Sequence, residues 1–576
     1  MDVPVAGEVE GAEARHRALR TAGIVLSASP ALAVLLFVGK FATRVPVDDI
    51  WNQVQVLEGG DYDHSALNWL WSPHNEHRIP VARVALFALD QLTRLNTRLE
   101  AIVSFGVLLL ALWLLRAAFA RAAGRTWMTP VLFVPVPFLL LTLRAHENLL
   151  KSFQIGVHLC LLASVAAWLL LGDGRVSGCR VAAAITLAVV ALFSFGSGVL
   201  AGPVGLVQLV WHRARRPSEN FPWKTALAWT VGFGAAVAAY RTDYHVSDFY
   251  QRPVGLLDDA GGVLRYAGTL MGAPFASTVA AAIVFGAALL AFMVIILFRA
   301  FHQEEGGGIA VSLMAFAVAN SFAIGLRRAG YGAEHALNSR YVTLSVVGAI
   351  GVWMAIAPAL QGRQRGSVFA WMYLAFIAAG SVSGWAAGLR QAQAFNVRVR
   401  DHEAVLADIG LNPADETLKR IFVDGNLLSP KIWVNYMRCH GLSLYKGKPP
   451  RPMAFVGEQF HLERVNGHEP AAAVTLPPRG EIELAGWTYD AVRVQPARGV
   501  VARIDEHYEV PLEYGLARGD IAKRTPDNRL LRVGFTGRIS AETLGPGAHD
   551  IRFRVLGVDD CLVYDPAVRV SVLVER

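Results

Sequence analysis

The chain has 576 residues, of which 54% are hydrophobic and only 17% charged, with a mean hydropathy of +0.38. Soluble domains carry about a quarter charged residues, so this composition points to a membrane protein. The net charge of +8 resides in arginines flanking apolar runs, with no basic block of the kind that binds nucleic acid.

About 20 mostly apolar residues cross a bilayer. Eleven stretches qualify as candidates, near 21–41, 99–118, 128–143, 155–171, 180–196, 198–212, 223–240, 275–298, 308–326, 341–360 and 367–388. Residues 1–20 then form a cytoplasmic N-terminus and residues 21–390 a transmembrane domain whose first outer loop runs over 42–98. The first apolar run follows "ARHRALR" and lacks a small-residue cleavage site, so it reads as a retained anchor. The arginine clusters "RAAFARAAGR", "HRARRP" and "GRQRG" fall on the same side as Arg15, Arg17 and Arg20 when eleven spans alternate, and the positive-inside rule makes that side cytoplasmic.

The other face collects the chemistry. On it fall "VPVDDIWNQ" (45–53), "SPHNEHRIP" (72–80), "RAHENLLKSFQ" (144–154), "RTDYHVSDFYQR" (241–252) and "GYGAEHALNSRY" (330–341). Such one-sidedness suits an active site or vestibule at one membrane surface.

Beyond residue 390, "NVRVRDHEAVLADIG" reads as an amphipathic helix leaving the membrane, within a mixed helix and loop connector over 391–469. Residues 470–576 alternate with period two in runs such as "EIELAGWTYD" and "VRVSVLVER", separated by Gly, Pro and Asp turns. That pattern predicts a soluble, mainly β domain, an immunoglobulin-like or carbohydrate-binding-like sandwich. Cys439 and Cys561 both fall in this outer portion, where oxidation is permitted and a disulfide is expected.

Asp48 and Asp49 stand at the mouth of the first span, followed by Trp51, with Trp69 and Trp71 further along the loop. Carboxylates bind hydroxyls and indoles stack on sugar faces, so the loop suits a carbohydrate acceptor, with Asp243 and Tyr244 as further contacts. Arg78, Lys151 and Arg340, with Glu76, His77 and His335, supply cations and donors for an anionic group; an arginine fork matches phosphate oxygens. His74 and His77 are three apart, but the H-E-x-x-H spacing of zinc proteases is absent and Pro73 and Pro80 bracket the segment. "DYD" at 61–63 offers oxygen ligands suited to Mg or Mn, leaving a divalent cation open as cofactor.

An acidic pair directly after the first span, followed by a polar "WSPHNEHRIP" segment leading into an amphipathic helix, resembles the GT-C glycosyltransferases. Where many of that family read roughly His-Pro-Pro after the acidic pair, this chain departs. The resemblance implies an integral enzyme of about eleven helices that takes a sugar from a polyprenyl-phosphate donor on the outer face. It also implies an envelope glycan or glycolipid acceptor, a bacterial inner membrane, and Asp48 or Asp49 as general base. Two other functions fit the same outer vestibule: a polysaccharide polymerase or ligase, and a transporter or flippase of lipid-linked sugar. A transporter is expected to hold ionisable residues near mid-membrane and to show repeats, and no repeat is evident.

Overall fold

A computed structural model describes residues 6–58, 66–75, 77–172, 175–216, 220–244, 259–302, 307–361, 367–408, 419, 421–422, 428–447, 453–455, 459–470, 473–505, 508–525, 527–558 and 561–575. The chain divides into two compact units, Met1–Asp401 and His402–Arg576.

The first unit is helical. Helices cover all eleven apolar stretches, and eight are long and apolar enough to cross a membrane: Glu13–Phe41, Thr97–Ala123, Met128–Leu150, Ser152–Leu171, Val279–Arg299, Gly308–Tyr331, Ser339–Gln361 and Val368–Ala407. The other three, Gly178–Ser194, Ala201–Arg215 and Trp223–Arg241, have 17, 15 and 19 residues and fall outside that set. This chain is thus a multi-pass membrane protein in its first unit.

Large apolar side chains such as Trp113, Leu110 and Phe298 stay exposed. In water such surface is costly, whereas lipid accepts it. Inside, Trp168, Phe316, Trp353 and their neighbours form one contiguous core. Backbones approach closely where side chains vanish: a Cβ on Gly388 would meet the Leu143 carbonyl carbon at 2.1 Å. That contact sets the last helix against the Leu143–Ala145 turn that opens the candidate site.

The Asn96 side chain accepts from Leu99 N–H at 3.4 Å and so starts the Thr97–Ala123 helix. Ahead of it, Pro80 occupies the first turn of Pro80–Thr93, an amphipathic helix beginning where "SPHNEHRIP" ends.

The second unit holds ten described strands: β1 (Met453–Phe455), β2 (Phe460–Val465), β3 (Ala473–Leu476), β4 (Glu481–Thr488), β5 (Gly499–Ile504), β6 (Tyr508–Ala517), β7 (Arg532–Ser540), β8 (Gly547–Leu556), β9 (Leu562–Tyr564) and β10 (Arg569–Val574). Their order is β1-β9-β8-β5-β6-β7-β4-β2, with β10 beside β8 and β3 beside β10. The start of β1 at Met453 corrects the expected 470 boundary: short strands sit inside the stretch read as connector.

The early half of β6 pairs with β5 and its later half with β7, so one strand serves both parts of the curved sheet. Pairings are antiparallel except β1–β9 and β3–β10. Alternation drives the core: in β10, Val570, Val572 and Val574 are buried while Arg569, Ser571 and Leu573 face out. Cys439 and Cys561 are joined by a disulfide with Cα atoms 5.8 Å apart.

Candidate functional site

The first helix ends at Phe41, and an extended Val47 leads into a single 3-10 turn, Asp48–Ile50. Asp48 sits at φ +49°, a left-handed conformation that Asp tolerates better than most residues. Its carboxylate meets Lys151 Nζ at 2.7 Å and Arg398 Nη2 at 3.8 Å.

Lys151 stands where two apolar helices meet. The helix His146–Leu150 stops, Lys151 turns extended (φ −102°, ψ 122°), and the chain restarts at Ser152. This break lets a cation project between two spans without interrupting either. Lys151 Nζ also donates to Glu147 Oε1 at 2.5 Å, and Ser339 Oγ donates to Glu147 Oε2 at 2.6 Å. Asp48, Lys151, Glu147 and Ser339 therefore form one continuous chain. Burial pulls the Lys151 ammonium down, but Glu147 and Asp48 together outweigh it and hold its pKa above the ordinary lysine value.

Asp49 turns to His74, 3.8 Å from Nε2. Burial lowers the His74 pKa despite that carboxylate, so the ring is neutral at physiological pH. His74 and His77 face each other in a tight turn with two backbone hydrogen bonds of 2.6 and 2.8 Å, and Asn75 takes φ +52°. The rings separate: His74 packs on Phe153, His77 on Phe195. His74 thus faces Asp49 of the acidic pair. Glu76 and the "DYD" at 61–63 lie outside the described residues. Among the described residues, no three His, Cys, Asp or Glu side chains converge as metal ligands.

Arg340 lies within electrostatic range of both Glu147 and Asp49 and contacts His335 Nε2 at 3.4 Å. His335 Nδ1 meets Tyr266 Oη at 2.9 Å. With Arg340 donating to Nε2, the ring proton sits on Nδ1 toward Tyr266. Burial, then Arg340 and Arg328, push the His335 pKa down to about 4, so the imidazole is neutral. Asn148 Nδ2 holds the Arg340 carbonyl at 3.0 Å and fixes this turn.

Two cavities flank the cluster. One, of about 410 Å³, is bordered by Glu147, Ser339, His146, Arg144, Phe395 and Arg398. The other, of about 600 Å³, is bordered by His77, Arg241, Arg327 and Arg328, with Tyr240, Tyr244 and Tyr341. Apolar side chains, among them Phe195, Val199, Leu200, Val237 and Ile324, border the same space. His77 reaches it because Gly196 has no side chain: a Cβ there would lie 2.2 Å from His77 Nδ1. Asn320 borders the same space, buried, with neither amide atom hydrogen-bonded among the described residues.

Beside this cavity Arg78 is 1% exposed. Its N–H donates to Tyr240 Oη at 2.9 Å, its Nη2 donates to the Asp243 carbonyl at 3.3 Å, and the guanidinium lies 4.5 Å from the Trp71 ring. Among the described residues, Nε and Nη1 have no hydrogen-bond partner. Desolvation by burial lowers the Arg78 pKa from its usual value.

Three expected sugar contacts are placed differently from one another. Trp51 and Trp69 are buried, 6% and 5% exposed. Trp69 instead packs under Arg83, whose guanidinium donates to the carbonyls of Trp69 and Ser72. Trp71 is 38% exposed but already faces Arg78. Tyr244 borders the larger cavity.

Sequence reasoning missed Arg144, Ser339, Tyr266 and Arg398. Arg144 is the site's brace: Nε donates to Ala276 O at 3.2 Å, Nη1 to Gln391 Oε1 at 3.0 Å and Nη2 to Leu337 O at 2.5 Å. One guanidinium thus pins three distant segments. The signal was present in "RAHENLLK", since an arginine so deep in an apolar stretch needs internal partners. No family model and no curated protein matches the chain.

Proposed function

We propose that this chain is a membrane glycosyltransferase of the GT-C type, moving a sugar from a polyprenyl-phosphate donor onto an envelope glycan or glycolipid outside a bacterial inner membrane. The observation that carries the reading is the ion-paired chain Asp48–Lys151–Glu147–Ser339 beside two cavities, one of them bordered by three arginines among mostly apolar side chains. A lipid phosphate combines the matching chemistry: an anionic head and a hydrocarbon tail.

In this reading the acceptor hydroxyl attacks the anomeric carbon while the bond from that carbon to the phosphate oxygen breaks. The hydroxyl proton passes to Asp48, the general base. Lys151 and Arg398 orient that carboxylate. Negative charge grows on the departing lipid phosphate, where Arg340, Arg241 and Arg327 offer donors, with Arg78 behind them. The neutral His335 supports Arg340 without adding charge. The smaller cavity, with Glu147 and Ser339 on its border, takes the acceptor.

The three shorter helices complete an eleven-crossing topology with the N-terminus cytoplasmic and the β unit outside. That unit is read as a carbohydrate-binding-like sandwich that holds the growing glycan. A divalent cation is not required by this scheme, since cationic side chains already face the leaving group.

Purified protein in liposomes, given labelled polyprenyl-phosphate sugars and candidate acceptors, tests the proposal. Formation of a new glycosidic bond is expected. Transbilayer movement of the labelled lipid with no bond formed would replace it with a transporter.

A further inference from the structure

Asp90 and Glu100 face each other across the turn joining Pro80–Thr93 to Thr97–Ala123, and both are buried, 2% and 0% exposed. Thr93 Oγ1 donates to Glu100 Oε1 at 2.6 Å. Ser152, the residue after Lys151, brings its buried hydroxyl up to the same carboxyl, and that hydroxyl has no aligned hydrogen bond. Asp90 Oδ1, Asp90 Oδ2 and Glu100 Oε2 likewise have none among the described residues.

Two carboxylates side by side and away from water cannot both be ionised unless a cation joins them. The cations on the surrounding elements are engaged elsewhere. Lys151 is held by Asp48 and Glu147, Arg83 by the carbonyls near Trp69, and Arg98 Nε by the Ala42 carbonyl. Arg94 caps its helix in a left-handed conformation and carries no ion pair to either acid. His146 and Glu147 lie on the next short helix, and His158 is bonded to Ser104, one turn along from Glu100. None is within ion-pairing distance of the two acids.

We propose that Asp90 and Glu100 share a single proton and act as positioning residues for Lys151, holding the Lys151–Ser152 break from behind. The second part rests on the reading of Lys151 and Asp48 as the working end of the site; the first part does not. Burial, then the neighbouring Glu100, raises the Asp90 pKa to about 8. Loss of the shared proton adds a second negative charge beneath Ser152. Lys151, one residue away, is then drawn off Asp48 or the turn opens to water.

The test uses full-length protein in lipid nanodiscs and two readouts across pH 6 to 10. Infrared spectroscopy reads the carbonyl stretch of protonated carboxyl groups. Acetic anhydride labelling, read by mass spectrometry, compares Lys151 with the reference Lys40. In wild type a protonated-carboxyl band is expected at neutral pH and is lost as pH passes about 8, while Lys151 labelling relative to Lys40 rises about tenfold because the turn opens to water and exposes the amine. In Asp90→Asn the band is absent throughout and the labelling rise disappears. A band that is missing in wild type, or unchanged in Asp90→Asn, overturns proton sharing. A band that behaves as expected with labelling that does not change overturns positioning. Both readouts work without transfer activity, so they stand or fall separately from the glycosyltransferase reading.

Discussion

Particular buried polar groups in the two units differ in how they are met. In the β unit Asp490 is fully buried, yet it accepts from the N–H groups of Val492 (3.0 Å), Arg493 (2.9 Å) and Val558 (2.8 Å) and from Tyr564 Oη at 2.5 Å. In the helical unit Arg78, Asn320, Asp90 and Glu100 are equally buried and leave polar atoms unmet. A satisfied polar core serves stability and uniqueness, whereas unmet buried groups cost stability and persist where something else needs them. The contrast accords with the proposal that the helical unit holds the working site, while Asp490 and the Cys439–Cys561 disulfide support the β unit.

The largest effect is expected in the β unit, where reducing the Cys439–Cys561 disulfide should cost about 2–5 kcal/mol, seen as faster hydrogen exchange over 428–447 and 561–575. In the helical unit, the way to break that contrast is to remove the cation of the site. Lys151→Met leaves the half-buried Glu147 with Ser339 but no cation, so a loss of about 1–3 kcal/mol is expected. Thermal unfolding in detergent reads it, and Glu147→Gln/Lys151→Met together should recover most of the loss. Asp490→Ala orphans three N–H donors and should lower stability by about 1–3 kcal/mol, with exchange rising in the turn after β4.

A smaller effect is the pH dependence set by His335. Folded protein keeps this ring neutral down to about pH 4, whereas an unfolded chain protonates it from about pH 6.5. The unfolded state therefore binds the extra proton first, and stability falls as pH drops from 6.5 to 4. His335→Gln should flatten the melting temperature across that window. An unchanged slope would show that the Arg340–His335–Tyr266 contacts do not hold the ring neutral.

Periodicity carried the architecture because it is a local property. Apolar runs marked the long helices of the first unit but not short ones such as Trp51–Glu58 and Ala260–Gly272, and period-two alternation marked β4, β5 and β10. Strand order was not legible, nor was the early start at Met453, since a three-residue strand has too little alternation to register. The site was legible in its residue types but not its pairings. Asp48, Lys151 and Glu147 stood out as ions in an apolar chain, yet only folding shows that they form one line. Trp51 and Trp69 stood out too, and folding buries them; an indole beside a membrane looks the same in sequence whether it stacks on a sugar or on Arg83. Asp90 and Glu100 passed unnoticed in "LDQLTRLNTRLE", where acids beside arginines look like a solvated face. Burial without a cation is a property of the fold.

The central claim is that Asp48 removes the acceptor's proton. Single-turnover transfer by Asp48→Asn and Asp49→Asn, both folded as judged by melting temperature, tests it most directly. Asp48→Asn is expected to slow the chemical step by about 10²–10⁴-fold with donor binding retained, while Asp49→Asn loses about tenfold or less. Full-rate transfer by Asp48→Asn would contradict the account.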